Sequence, residues 1–485
     1  MYNVFRMLKV GAKNFILFSF FSALWIPGPV FSQNVIIKGN ADSSYLSAAR
    51  SIYAYTDEDF ISYKEKELSS GLLDAKGNFT MNFSINAPTY IYLVVDNAKA
   101  EMICEPNKTY EIKFLPKDSD AVNTLSFSIP TGLEFSNSSD TELNYLMADF
   151  SNRYEAFLED HRGMIAKKEP ALFGKIDTIK TLFTKKYTAY NNSYLNNFIE
   201  YTFASLEENV SLKGKQKIYE QYIRGRKIQP GNYDYMAFFH QFFSSTTDML
   251  MKSGKTQMEI NSKQIFSSLL ELYKQNKFLS NDTLCEMAVL KSLSEYYRYP
   301  SSYKTIAVLA LLEQAEKQCK SATNRESAEN IYKKLSVMNP GKPVSAMGFL
   351  NSDGKQVSLS DFKGKYVYLT FWTSWSAAST QEMTLIPDLK KLYGNKIAFI
   401  SICLDKSQET MNNFLKKNAH LSADKSGYGW TFLYCDNYKK VKEEFNVLTV
   451  PAYFMLDPKG NVFKSPAPGP SEIEPVFIKI KKKQQ

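Results

Sequence analysis

At 485 residues the chain is too long for one ordinary domain, and two or three are expected. Hydrophobic residues at 44% and charged residues at 22% exclude a disordered chain, and 31 Tyr with 34 Phe supply material for sizeable cores. The net charge of +9 comes without Lys/Arg blocks interleaved with aromatics, so no nucleic acid is expected as a partner.

The first 32 residues read as a signal peptide. Arg6, Lys9 and Lys13 form a basic start, Phe15 to Ile26 an apolar run, and Pro27-Gly28-Pro29 a break before Val30-Phe31-Ser32, which fits a cleavage site. The run is shorter than the roughly 20 residues a spanning helix needs. No Cys precedes Cys104, which excludes lipid attachment beside the signal. Cleavage removes three cations, taking the net charge from +9 to +6, and an exported chain of the periplasm or cell envelope is expected, with no transmembrane segment left. The tail Lys479-Ile480-Lys481-Lys482-Lys483 reads as a solvated helix end.

Residues 33–125 read as a β-rich domain. Phe79, Met81, Phe83 and Ile85 alternate with polar residues, Asp74-Ala75-Lys76-Gly77-Asn78 carries turn chemistry, and Tyr90 to Val95 is a β-branched and aromatic run. A small sandwich or barrel is expected. Over 139–338 the period lengthens to that of helices. Ser139 and Glu142 have capping-box spacing, and Leu143, Leu146, Phe150, Tyr154 and Phe157 follow one face. Further helices are expected near 171–207, 214–225, 233–250, 262–275, 281–298, 304–319 and 324–337, with no fixed-period repeat. The cluster Phe238-Phe239-His240-Gln241-Phe242-Phe243 reads as core, with His240 a satisfied buried histidine.

Asn339-Pro340-Gly341-Lys342-Pro343 marks a boundary, and residues 341–485 then follow a β-α-β pattern. Strands are expected at Met347 to Leu350, Tyr366 to Trp372, Ile397 to Leu404, Thr431 to Cys435 and Ala452 to Leu456. Helices fall near 376–393, 407–418 and 437–445, and a last strand and helix follow Asp457-Pro458-Lys459-Gly460. The five cysteines, Cys104, Cys285, Cys319, Cys403 and Cys435, form no Cys-x-x-Cys. An odd number leaves at least one thiol without an intramolecular partner, and with three histidines no metal cluster is visible; no cofactor is expected.

Several motifs after the boundary carry a resemblance. They are Gly341-Lys342-Pro343, Leu359-Ser360-Asp361-Phe362-Lys363-Gly364-Lys365, Phe371-Trp372-Thr373-Ser374-Trp375, Glu382-Met383, Thr449-Val450-Pro451 and Leu456-Asp457-Pro458-Lys459-Gly460. With these, residues 341 to about 480 resemble the thioredoxin family, most closely its exported TlpA-like (ResA-type) branch. The resemblance implies an α/β thioredoxin-like fold preceded by β-rich and helical domains, a cis-proline loop at Val450-Pro451, and thiol-disulfide exchange. That chemistry needs a thiolate at a helix N-terminus and a second cysteine three residues on. The positions here are Ser376 and Ser379, with Ala377-Ala378 between them, and Thr380 and Thr384 stand where the family commonly has a basic residue and a proline. A serine hydroxyl forms no disulfide, so the chemistry does not transfer and no catalytic residue is expected. A peroxiredoxin-like reading fails at the same atom.

Ser376 as a hydrolase nucleophile lacks a base, since no His lies nearby in sequence; a helix cap is the plainer role, with Ser379 in the first turn. Cys403 and Cys435 fall on strands that can be neighbours, and two core thiols are expected there rather than a bridge. Glu382 reads as an ordinary residue of a solvated helix face. The expected function is therefore binding of an exported protein or peptide beside Trp375, Val450 and Pro451, where relatives hold extended polypeptide. The alternatives are an oxidoreductase working through other cysteines, and a structural envelope protein whose aromatic helical domain carries the interaction.

Overall fold

The computed structural model describes residues 33–46, 51–95, 98–116, 129–210, 214–299, 302–405, 407–422, 429–435, 437–447 and 449–483. The segment read as a signal peptide lies outside them. The chain divides into two compact units, Met1–Leu250 with Asn276–Leu284, and Met251–Gln275 with Cys285–Gln485.

The first unit opens with β1 (Gln33–Asn40), α1 (Ser43–Leu46), β2 (Ser51–Asp57), β3 (Glu65–Leu72) and β4 (Asn78–Ile85). β5 (Thr89–Val95), β6 (Ala98–Cys104), β7 (Thr109–Phe114), β8 (Ile129–Pro130) and β9 (Leu133–Phe135) complete two sheets, ordered β4-β1-β7-β9 and β3-β2-β5-β6-β8. The alternation in β4 buries Phe79, Met81, Phe83 and Ile85 against Ile91, Leu93 and Val95 of the other sheet, which makes a sandwich. The turn before β4 needs its glycine: Gly77 sits at φ +83°, and a Cβ there would lie 2.2 Å from the Ala41 carbonyl oxygen.

The helices that follow are α2 (Leu143–Asp160), α3 (Arg162–Lys167), α4 (Leu172–Thr188), α5 (Ser193–Val210), α6 (Lys215–Tyr222) and α7 (Tyr233–Met251). The expected capping box is replaced by a simpler device. Glu142 is itself the N-cap of α2, its carboxylate accepting from the Tyr145 amide at 3.0 Å, while the Ser139 hydroxyl meets that of Thr141. The helix expected over 171–207 is two, α4 and α5, separated by a turn at Tyr190 and Asn191, where Asn191 adopts φ +50°. Phe238, Phe239, Phe242 and Phe243 are buried, and Nε2 of His240 lies 2.6 Å from the Phe60 carbonyl oxygen.

The second unit contains α8 (Gly254–Met258), a π-turn at Glu259–Lys263, α9 (Phe266–Lys274), α10 (Asp282–Tyr296), α11 (Thr305–Gln318) and α12 (Ala322–Ser336). The buried Glu286 carboxylate closes the α11–α12 connection, accepting from the backbone amides of Lys320 at 2.7 Å and Ser321 at 3.3 Å and from the Asn324 amide at 2.8 Å. The boundary segment is itself paired. Gly341 N–H donates to Val462 O, Val462 N–H to Lys342 O and Val344 N–H to Gly460 O, at 2.8, 2.8 and 3.2 Å.

Beyond it lie β10 (Gly348–Asn351), β11 (Gln356–Ser358), β12 (Tyr366–Trp372), α13 (Ala377–Met383), α14 (Ile386–Tyr393), β13 (Ile397–Cys403), α15 (Gln408–Lys417) and α16 (Ala419–Ser422). β14 (Trp430–Tyr434), α17 (Tyr438–Phe445), β15 (Ala452–Leu456), β16 (Val462–Lys464) and α18 (Glu474–Lys483) complete it. The sheet runs β11-β10-β14-β13-β12-β15-β16, with β12, β13 and β14 parallel and β15 antiparallel to β12. Central β12 is buried from Val367 to Trp372, and all but Thr370 of that run is hydrophobic, because both its faces are covered. Tyr368 and Trp372 enter a core with Met383, Ile386, Tyr393 and Phe477, while Phe371 packs on Phe445 and Phe454 of the other face. The single helix expected over 376–393 is broken at Thr384–Leu385. Pro387, in the first turn of α14, has no N–H to continue the ladder. Among the described residues no helix is long and apolar enough to cross a membrane.

Candidate functional site

The central strand leaves the sheet at Trp372 and turns through Thr373, Ser374 and Trp375 into α13. Ser376 is the N-cap: its backbone is extended (φ −81°, ψ 105°) and its Oγ accepts from the Ser379 amide at 3.2 Å. Both serines are 1% exposed, and the Ser379 Oγ has no hydrogen-bond partner among the described residues. The two positions singled out in the sequence thus share one turn and one hydrogen bond. Trp375 between strand and cap is 36% exposed.

The Val450–Pro451 peptide bond is cis. Ala452, the next residue, is registered opposite Phe371, so the proline loop and the Trp375 turn leave the sheet at the same end. That end is where the parallel strands finish, the usual location of ligand sites in open α/β sheets.

Asp405, two residues past β13, was not singled out in the sequence. It is 4% exposed, and its carboxylate accepts from the Ser374 amide with both oxygens, at 3.0 and 3.2 Å. It also accepts from the Cys403 thiol, Sγ to Oδ2 3.1 Å. The register explains the reach, because Cys403 pairs with Trp372 and the Leu404 amide donates to Trp372 O, which brings Asp405 beneath the following turn. One signal was available: a lone carboxylate closing an apolar parallel strand faces the site end of such a sheet.

Glu382 is half-buried and partnered rather than fully solvated. Its carboxylate accepts from the amide and hydroxyl of Ser471, at 3.1 and 3.0 Å, and a Cβ on Gly469 would lie 3.3 Å from both Glu382 Oε2 and Tyr453 Cε2. Tyr453 and Tyr368 stack with planes 2° apart. Burial, and secondarily the Glu382 charge, raise the Tyr453 phenol; burial, then Tyr453 and Glu382, raise Tyr368.

All five cysteines are buried thiols. Cys403 and Cys435 are backbone neighbours, the Cys435 amide donating to Cys403 O at 3.0 Å. Cys403 is registered opposite Tyr434, however, and those two share one core face; side chains alternate, so Cys435 turns away from it. Burial, followed by the Asp405 charge, holds the Cys403 thiol well above its ordinary value.

A seven-stranded sheet of this order, with an α-helix leaving the central strand and a cis-proline opposite, defines a thioredoxin-like region at the C-terminus. Residues 339–475 match the Redoxin family. Thioredoxin-like protein YneN of Bacillus subtilis (strain 168) is 29% identical over 135 residues, 27% of this chain and 75% of that protein. Thiol-disulfide oxidoreductase ResA of Bacillus cereus (strain ATCC 10987 / NRS 248) is 26% identical over 140 residues, 28% and 74% of the two chains. The crystal structure of the thioredoxin domain of a thiol-disulfide oxidoreductase from Bacteroides vulgatus is 22% identical, covers 30% of this chain and 98% of its own, and gives a TM-score of 0.25. The homologues of this region thus include thiol-disulfide oxidoreductases.

Proposed function

We propose that the protein is an exported, thioredoxin-fold binding protein in which Ser376 and Ser379 stand where relatives carry the redox dithiol. The observation that carries this reading is the chemistry at the start of α13: two hydroxyls, one spent as a helix cap. A hydroxyl there neither ionises near neutral pH nor forms a disulfide. The half-exposed Trp375 and the Val450–Pro451 loop at the same sheet end offer an apolar surface for an extended polypeptide.

A second reading, thiol-disulfide exchange through Cys403 and Cys435, draws on the homologues' activity and on the adjacency of those two backbones. Their burial and the raised Cys403 thiol oppose it. Dithiothreitol-driven insulin reduction by residues 33–485, beside a Ser376→Cys/Ser379→Cys variant, separates the two. An inert wild type with an active variant supports the binding reading. Insulin reduction by the wild type overturns it.

A further inference from the structure

We propose that Asp405 is the positioning residue of the recognition turn: from beneath the sheet end it grips the Ser374 amide and so fixes how Trp375 is displayed. The inference rests on the binding reading above. Its geometry is independent of it.

The turn between β12 and α13 has few ways to satisfy its backbone. The Ser376 amide donates to Thr373 O at 3.3 Å, a long bond, and the Ser374 amide has no ladder partner because the strand has ended. Both oxygens of Asp405 meet that amide, and a charged acceptor makes the stronger kind of hydrogen bond. Keeping a carboxylate at 4% exposure is costly unless its lone pairs are used, and Ser374 and Cys403 use them. Trp375 is the next residue after the gripped amide, so its backbone has little freedom while the bond holds. Cys403 in this arrangement is a weak secondary donor to a carboxylate that Ser374 already meets at both oxygens, not a nucleophile. Preorganisation of this kind lowers the ordering cost when an aromatic side chain meets a partner.

The test uses residues 33–485 with Asp405→Asn, which keeps the side-chain shape, Asp405→Ala, and Cys403→Ala, which removes only the thiol donor. Amide hydrogen exchange is followed at Ser374 to Ser376, with β12 and β13 as the internal fold check. Binding is followed with reduced, carboxymethylated α-lactalbumin, an unfolded polypeptide without free thiols. Exchange at Ser374 is expected to quicken about tenfold or more in Asp405→Ala and about threefold in Asp405→Asn, which keeps one neutral acceptor oxygen, with β12 unchanged and affinity for the probe falling in the same order; Cys403→Ala is expected to stay near wild type in both. Unchanged exchange at Ser374 in the Asp405 variants overturns the proposal, and so does quickened exchange with unaltered affinity. A wild type that does not bind the probe counts against the binding reading, while the exchange data still decide whether Asp405 fixes the turn. If Asp405→Ala fails to fold, Asp405→Asn carries the test.

Discussion

The carboxylate of Glu382 takes two hydrogen bonds from Ser471, 3.1 Å from its amide and 3.0 Å from its hydroxyl, across 89 residues of chain. α13 is thereby tied to the segment that leads into α18, whose Phe477 packs on Tyr368 and Tyr393. Glu382→Ala hands the exposed Ser471 amide to water and is expected to lower stability by about 0.5–1 kcal/mol in urea unfolding. Glu382→Gln, which keeps one acceptor oxygen, should cost less. Equal stability of all three proteins would remove the tie from the account.

Ser376 and Ser379 make opposite predictions, although both are buried hydroxyls. Ser376→Ala removes the α13 cap and should cost about 1 kcal/mol. Ser379→Ala deletes an oxygen with no partner and should be neutral or slightly stabilising. Chemical denaturation of the two variants side by side checks the order, and a larger loss at Ser379 would contradict it.

Asp234 in the first turn of α7 should govern stability between mildly acid and neutral pH. Burial raises its carboxyl from 3.8 to about 7, and its Oδ2 has no hydrogen-bond partner among the described residues. The unfolded chain therefore releases this proton at lower pH than the folded one. Its contribution is intact below 3.8 and is lost as pH rises to about 7. Asp234→Asn should flatten that decline and be more stable than wild type at pH 8, by on the order of 2 kcal/mol. A decline from pH 4 to 7 just as steep in the variant as in the wild type would show that other groups set it.

The thiols should be silent in the native state. All five are buried, Cys319 is pushed up to about 12 by burial and then Glu286, and Cys403 is held well above its ordinary value. Iodoacetamide at pH 8 followed by intact mass is expected to add less than one label per folded chain, and five after unfolding in guanidinium. Rapid native labelling of Cys403 or Cys435 would revive the exchange reading. Because the folded Cys403 stays protonated where the unfolded thiol ionises, its contribution to stability is present below 9.0 and declines as pH climbs past it.

The elements with a strong period were legible. Tyr366 to Trp372 and Ala452 to Leu456 stand at the expected residues, and the alternation at Phe79 to Ile85 carries the sandwich face it implied. What periodicity hides is interruption, since Pro387 and Asn191 each break a helix whose apolar stripe continues across the break. The site was legible through motif spacing at Ser376 and Ser379, which share one turn. Asp405 and Glu382 were not, because their partners, Ser374 and Ser471, lie 31 and 89 residues away and only the folded sheet brings them together.

The pairing of Gly341 to Val344 with the hairpin at Gly460 to Val462 has a practical consequence. A strand at the rim of a sheet, with its N–H and C=O groups bare, is a template for any other chain that can lie alongside it. The residues that join α12 to the sheet occupy that rim on the β16 side. A truncation starting at residue 345 would keep every named strand yet uncover the rim, inviting self-association; one starting at 339 would carry its own protective hem.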